Sequence, residues 1–239
     1  MPPARPPPDI AEGGRRRAPP GSGTIRGVHA LEKPRLRGVF HLWAFFVAVV
    51  AGVVLIVLAD GSLTRFAALI YVMALAAMFG ASALYHRYPF KSAARRVWAR
   101  RLDHSTIFLF IAGTYTPFAL LAFDGTISWI VLVTVWFGAA LGLVLNFFWL
   151  DAPKWVGVLA YVAVGWVGVI TIPQMFSGVG TTGSVLVIIG GALYTLGALT
   201  YAFHWPNPFP ATFGYHEVFH LLVVAAATTQ FIAVSLVVL

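Results

Sequence analysis

Two histidines stand four residues apart at the start of the last apolar stretch of the chain, in the sequence His216-Glu217-Val218-Phe219-His220. Because an α-helix advances about 100° per residue, these two side chains differ by only about 40° around the helix axis and can point at one ion. Ionisable side chains at membrane depth are costly unless they have a compensating partner. The spacing therefore predicts a metal site just inside a membrane boundary.

Two more stretches of sequence bring polar side chains to the same membrane depth. His86 ends the second apolar stretch and Asp103 precedes the third, so antiparallel spans place both beside His216. Three neutral imidazoles and one water form the usual open arrangement of a catalytic zinc. Asp103 is then a candidate general base for that water, and Ser82, one turn before His86, could orient the water or the substrate oxygen.

Structural roles compete with these chemical ones. His86 could cap the end of its helix, and Asp103 could be the N-cap of the next helix. His104 points about 100° away from Asp103 on the helix and is either a hydrogen-bonding partner or a ligand. Glu217 completes the His-Glu-x-x-His pattern of zinc proteases, but it lies about 80° from the mean direction of the two histidines and could face a neighbour.

The remaining histidines carry no such pattern. We expect His41 and His204 at the membrane interface and His29 in the N-terminal tail. The chain has no cysteine, which excludes disulfides, thiolate zinc sites and cysteine nucleophiles, so a metal must use His, Asp or Glu.

Composition assigns the chain to the membrane. Of the 239 residues, 59% are hydrophobic and 10% charged, and the mean hydropathy is +0.84, whereas a soluble domain has about 25% charged residues. Seven apolar stretches are about as long as a membrane span, roughly 20 residues. They run from Val39 to Ala59, Phe66 to Tyr85, Ser105 to Phe123, Ile127 to Leu150, Trp155 to Ile172, Ser184 to Phe203 and Phe213 to Leu239.

The sequence thus predicts an all-α, seven-helix transmembrane bundle over residues 38–239, after a disordered, Pro- and Arg-rich tail over residues 1–37. All Lys and Arg residues except Arg65 fall on one side of the seven spans, which predicts a cytoplasmic N-terminus and an outer C-terminus. The same bias explains the net charge of +8, so we expect membrane lipids and no nucleic acid as partners. In a bacterium the chain would lie in the plasma membrane, and its oligomeric state is open.

Four motifs, in this order, resemble the hemolysin III family, which belongs with the progestin and adipoQ receptors. They are Ser82-Ala83-Leu84-Tyr85-His86, Asp103-His104-Ser105, Gly113-Thr114-Tyr115-Thr116-Pro117 and His216-Glu217-Val218-Phe219-His220. The resemblance covers roughly residues 38–239. It implies a zinc ion held by His86, His216 and His220, a water held by Asp103, and Ser82 nearby.

The resemblance also extends to membrane hydrolases such as the alkaline ceramidases, and the adiponectin receptors are themselves linked to ceramide hydrolysis. The sequence therefore favours an enzyme, a zinc-dependent hydrolase of an amide or ester bond in a lipid such as a ceramide-like amide. The alternatives are a seven-helix receptor or sensor with a structural zinc, an intramembrane protease using Glu217, and a pore-forming hemolysin.

Overall fold

The protein is described by a computed structural model that covers Met1, residues 34–149 and residues 151–239. The predicted tail therefore lies largely outside the described residues. The helices are α1 (Val39–Leu58), α2 (Ser62–Arg87), α3 (Ala93–Leu121), α4 (Gly125–Phe148), α5 (Lys154–Gly165), α6 (Ile172–Gly178), α7 (Gly180–Phe203) and α8 (Tyr215–Val238), with a 3₁₀ helix (Trp166–Thr171) between α5 and α6.

Within the described part of the chain, seven helical segments are long and apolar enough to cross a membrane, and no strand is present. This confirms the predicted all-α fold with seven spans, and the chain is an integral, multi-pass membrane protein. We call the end of the bundle at which α1 begins and α2 ends the histidine end.

The fifth span is the irregular one, because α5, the 3₁₀ helix and α6 together form the segment Trp155–Gly178. Its predicted end at Ile172 is wrong by about two turns. Tyr115 of α3 satisfies backbone groups where the helix changes type: its hydroxyl donates to the Gly165 carbonyl and accepts from the Gly168 N–H at 2.8 Å. A side chain from a neighbouring span therefore supports this break within the membrane.

The third helix begins at Ala93, twelve residues before the predicted start at Ser105. Ala, Arg and Leu are good helix formers, and arginines at a helix end keep their charged heads in water, so the helix continues beyond its apolar part. The N-cap is Ser92, and Asp103 lies inside the helix, buried. The expectation that Asp103 could be the N-cap is therefore wrong.

Helix α8 lies against α1, α2, α3 and α7, and α2 and α3 pack closely along their lengths. The absence of a side chain at Gly113 permits this approach, because a Cβ there would come within 2.5 Å of the Ala74 Cβ. Small residues are what membrane helices use to approach each other closely. This packing holds the candidate site residues of α2, α3 and α8 together.

Candidate metal centre

The three histidines predicted from sequence come together at the histidine end of the bundle. His86 is the next-to-last residue of α2, while His216 and His220 lie in the first turns of α8. One nitrogen from each ring lies within 4.8 Å of the other two. His86 and His220 are buried and His216 is half-buried, so the described residues include a largely buried three-histidine group that could hold a metal ion.

One pair of donors lies at a separation that a single ion could span, and all three nitrogens lie within 4.8 Å of one another. His86 Nε2 and His216 Nε2 lie 3.2 Å apart. With metal–nitrogen distances of about 2.0–2.1 Å, two ligands of a tetrahedral zinc would be separated by about 3.3 Å. In addition, His220 is only 1% exposed, and its Nδ1 has no hydrogen-bond partner among the described residues. A buried, convergent set of imidazoles is a suitable site for zinc or another divalent transition metal.

A carboxylate and a hydroxyl stand beside these rings. Asp103 Oδ2 lies 3.6 Å from His86 Nε2, and the Ser82 hydroxyl faces the same carboxylate. Both side chains are buried. His104 is near the same carboxylate oxygen, with its Nδ1 3.7 Å from Asp103 Oδ2 and 2.9 Å from the Arg100 carbonyl oxygen. Since a carbonyl oxygen can only accept, this nitrogen of His104 is the protonated one.

Glu217 faces away from this chemistry. One of its carboxylate oxygens pairs with Arg37, and the other accepts the Gly214 N–H at 2.9 Å. The second bond is half of a capping box that begins α8. Glu217 is 0% exposed. Both oxygens are engaged in holding the start of the helix, which leaves none directed at a metal-bound water as a protease mechanism would require.

His41 is the site residue that sequence reasoning missed. We expected it at the membrane interface and gave it no role in the site, whereas it is buried and its ring stacks on that of His220, with centroids 3.8 Å apart and planes at 4°. It is a lone histidine near the start of α1, with no second ligand at helical spacing to mark it. Only the packing of α1 against α8 could identify it. His204 is exposed, and its position at the membrane interface stays a prediction.

The centre borders an apolar cavity of about 690 Å³ that extends far into the bundle. Its lining runs along α3 from Asp103 to Phe118, a distance of about 22 Å at 1.5 Å per residue. Several lining residues are also exposed, and they all lie on the fifth span or on α7. They are Gly165, Trp166, Val169, Ile172, Ile188, Ala192 and Leu196. The cavity therefore opens sideways between these two spans.

The opening is bridged by one polar contact. Trp166 of the 3₁₀ helix donates its indole N–H to the Thr195 hydroxyl of α7 at 3.2 Å. Both residues line the cavity. This pair therefore lies at the opening, on a route by which a ligand could enter from the side.

Comparison with known proteins shows which family this chain belongs to. Residues 29–231 match the family described as haemolysin-III related. The chain is 34% identical over 139 residues to hemolysin-3 of Bacillus cereus, covering 58% of this chain and 60% of that protein. It is 32% identical over 134 residues to a hemolysin-3 homolog of Bacillus subtilis (strain 168), with 56% and 60% covered. It is 26% identical over 197 residues to the human monocyte to macrophage differentiation factor, with 81% and 79% covered. The matches thus span about three fifths of the two bacterial relatives.

Proposed function

We propose that this chain, which belongs to the haemolysin-III-related family, is an intramembrane zinc-dependent hydrolase that cleaves an amide or ester bond in a lipid. The observation that carries the proposal is the position of the Asp103 carboxylate, 3.6 Å from a nitrogen of the three-histidine group and on the wall of an apolar cavity. A structural metal needs neither a neighbouring base nor a cavity for a ligand. Together they are the parts of a hydrolytic site.

His86, His216 and His220 would hold the zinc. Bound there, it would polarise the scissile carbonyl and make a water more acidic. All three ligands are uncharged in their metal-binding form, so the site would keep the full positive charge of the ion, and the nearby Asp103 carboxylate would balance part of it.

Asp103 would act as the general base. It takes a proton from the attacking water and delivers it to the departing amine or alcohol. Ser82 of α2 faces this carboxylate of α3, and the close packing of the two helices keeps these side chains together. General base catalysis by a positioned carboxylate contributes about 10²–10⁴-fold to a rate.

The cavity supports a lipid as substrate. Its lining is predominantly apolar, and it opens sideways between the fifth span and α7, into what would be the hydrocarbon of a bilayer. An acyl chain can enter there without crossing water. The reacting bond would then lie at the polar end of the cavity beside Asp103, and the chain would extend toward Phe118.

The test begins with metal content and lipid hydrolysis by the purified chain in lipid nanodiscs. We expect about one zinc per chain in the wild type and its loss from His86→Ala, His216→Ala and His220→Ala, measured by plasma mass spectrometry. Asp103→Asn should retain zinc but hydrolyse a fluorescent ceramide-like amide about 10²–10⁴-fold more slowly. Asp151→Asn, at an 87% exposed carboxylate, is the matched control and should behave as wild type.

Two results would contradict the proposal, one for its general base and one for its metal. Full hydrolysis by Asp103→Asn would show that the general base is wrong. A wild-type chain without bound metal would end the catalytic proposal altogether.

A second function is favoured by the same three rings. His86 lies on α2, whereas His216 and His220 lie on α8, so a metal here also ties two helices together. A receptor or sensor with this structural clamp would bind zinc and lose thermal stability on chelation, yet it would release no product from ceramide-like amides or from their ester analogues.

A further inference from the structure

The residues that lead into α1 contact the three-histidine group from a third direction. Arg37 pairs with Glu217, which lies between His216 and His220 in the first turn of α8. Four residues further on, His41 stacks on His220 itself. One short stretch of chain thus touches the site at several points, although it contributes no nitrogen to the candidate ligand set.

Gly38 supplies a contact with a second histidine of the group, His86. Its φ of +77° is in the left-handed region that favours glycine, and a Cβ there would lie 2.5 Å from the Cβ of His86. The backbone therefore lies directly against this ring. The preceding residues are fixed as well, because the N–H groups of Arg35 and Leu36 donate to the carbonyls of Ala211 and Thr212, each at 3.2 Å.

His41 is an unusual choice for a buried position. It is 3% exposed, and neither ring nitrogen makes a well-aligned hydrogen bond to a described residue, although the backbone of His220 is close enough to interact with the ring. Buried polar groups with poor hydrogen bonds cost free energy, so an aliphatic side chain would fill this position at a lower cost. The edge-to-face contact with Phe79, at 5.1 Å between centroids, holds the ring parallel to that of His220.

The stacking geometry excludes His41 as a fourth ligand of the same ion. A ring nitrogen binds a metal along its lone pair, which lies in the plane of the ring. The planes of His41 and His220 are parallel within 4°, with centroids 3.8 Å apart. The lone pairs of His220 therefore point to places well outside the plane of His41, and the two rings would not hold one ion together.

We propose that Arg37, Gly38 and His41 form a clamp that positions the three-histidine site, with the face of His41 fixing the ring plane of His220. The inference rests on the proposed metal site, but it does not depend on which reaction the site performs. Side chains that orient metal ligands typically change metal affinity by about 10–100-fold when they are replaced. Because His41 also lines the cavity, the role of the clamp is tested through metal binding and not through turnover.

The test compares a flat side chain with an aliphatic one at position 41. The full chain is prepared metal-free in phosphatidylcholine nanodiscs and titrated with zinc against a chromophoric chelator. We expect His41→Leu to bind zinc about 10–100-fold more weakly, and His41→Phe, which keeps the ring face, to lose less than about tenfold. His204→Asn, at an exposed histidine, is the control and should match the wild type.

Cobalt provides a readout that general destabilisation would not change. The visible absorption of bound Co²⁺ reports ligand geometry, so its band shape should change in His41→Leu and remain wild-type in His41→Phe. If His41→Leu fails to fold, zinc affinity and the cobalt spectrum are measured in Gly38→Ala instead. Its new Cβ would lie 2.5 Å from the Cβ of His86 and push against that side chain.

Two results would overturn the clamp. One is wild-type zinc affinity in His41→Leu, and the other is equal loss in His41→Leu and His41→Phe. Failure of the proposed function is recognised separately, as zinc binding by the wild type without lipid hydrolysis. A wild-type chain that binds neither zinc nor cobalt would overturn both.

Discussion

The two sides of the bundle differ in how tightly they pack. Of the residues in an 18-residue apolar window, 56% are buried in α2 and 61% in α3, compared with 11% in the fifth span and 17% in α7. The candidate ligands and the candidate base lie on α2, α3 and α8, whereas the cavity opens between the fifth span and α7. The closely packed side thus holds the groups that need fixed geometry, and the loosely packed side provides access.

The loosely packed side is also where the helix is irregular. The 3₁₀ segment Trp166–Thr171 lies at the opening, and its supporting contacts come from Tyr115 of α3 and Thr195 of α7. Regions with few buried apolar contacts are those that open most easily. If this division is correct, equivalent substitutions on the two sides will have unequal effects.

The largest difference is expected between two carboxylates. Glu217→Gln removes the charge from a 0% exposed group paired with Arg37 on the packed side, and should lower the free energy of unfolding by about 2–3 kcal/mol. Asp151→Asn removes the charge from an exposed pair with Arg100, just before the fifth span, and should cost less than about 1 kcal/mol. Unfolding in detergent micelles by chemical denaturant measures both.

The same Glu217→Gln chain separates hydrolase from protease. At saturating zinc its folded fraction should still hydrolyse lipid, because the carboxylate holds the helix start and pairs with Arg37, although its zinc affinity should fall because that pair is part of the clamp. Complete loss of turnover with unchanged stability and zinc content would contradict this interpretation and favour a catalytic Glu217.

A smaller contrast is expected between two glycines. In Gly113→Ala, the new methyl would meet the Ala74 Cβ at 2.5 Å, and overpacking of about 1–3 kcal/mol should outweigh the helix-propensity gain of about 1 kcal/mol. At Gly191 on the open side nothing lies within 4 Å, so Gly191→Ala should be neutral or stabilising. Thermal melting of the two variants in the same detergent compares them, and equal shifts would show that the two sides do not differ in packing.

The smallest effect is expected at the opening itself. Trp166→Phe keeps an aromatic ring but removes the hydrogen bond to Thr195, and one such bond is worth about 0.5–1.5 kcal/mol. Uptake of a fluorescent acyl lipid, followed by stopped-flow mixing, should be about 2–10-fold faster, with the melting temperature lowered by at most about 6 °C. The control is Trp129→Phe, at a 65% exposed residue of α4. Equal uptake by the two variants would argue against entry past Trp166.

Much of this arrangement could be predicted from the sequence, because hydropathy and the spacing of two histidines are both strong signals. Hydropathy alone indicates seven spans, and the four-residue spacing of His216 and His220 indicates a shared target. Antiparallel connections then bring His86 to the same end, where the structure also has it. The cytoplasmic placement of that end stays a prediction from charge.

The features that could not be predicted depend on contacts between distant segments or on helix that continues outside the apolar region. The start of α3 was missed since hydropathy falls at its arginines while helix propensity does not. The 3₁₀ break depends on Tyr115, fifty residues away from Gly165. His41 is marked only by the ring on which it stacks.

The sideways opening of the cavity changes what concentration means for any ligand of this protein. A site reached from the hydrocarbon is surrounded by a solvent that is itself made of amphiphiles, each with a chain able to compete for the same space. Its affinities therefore have to be expressed as mole fractions in the bilayer. A detergent used to extract the protein is a competitor for the cavity as well as a solvent.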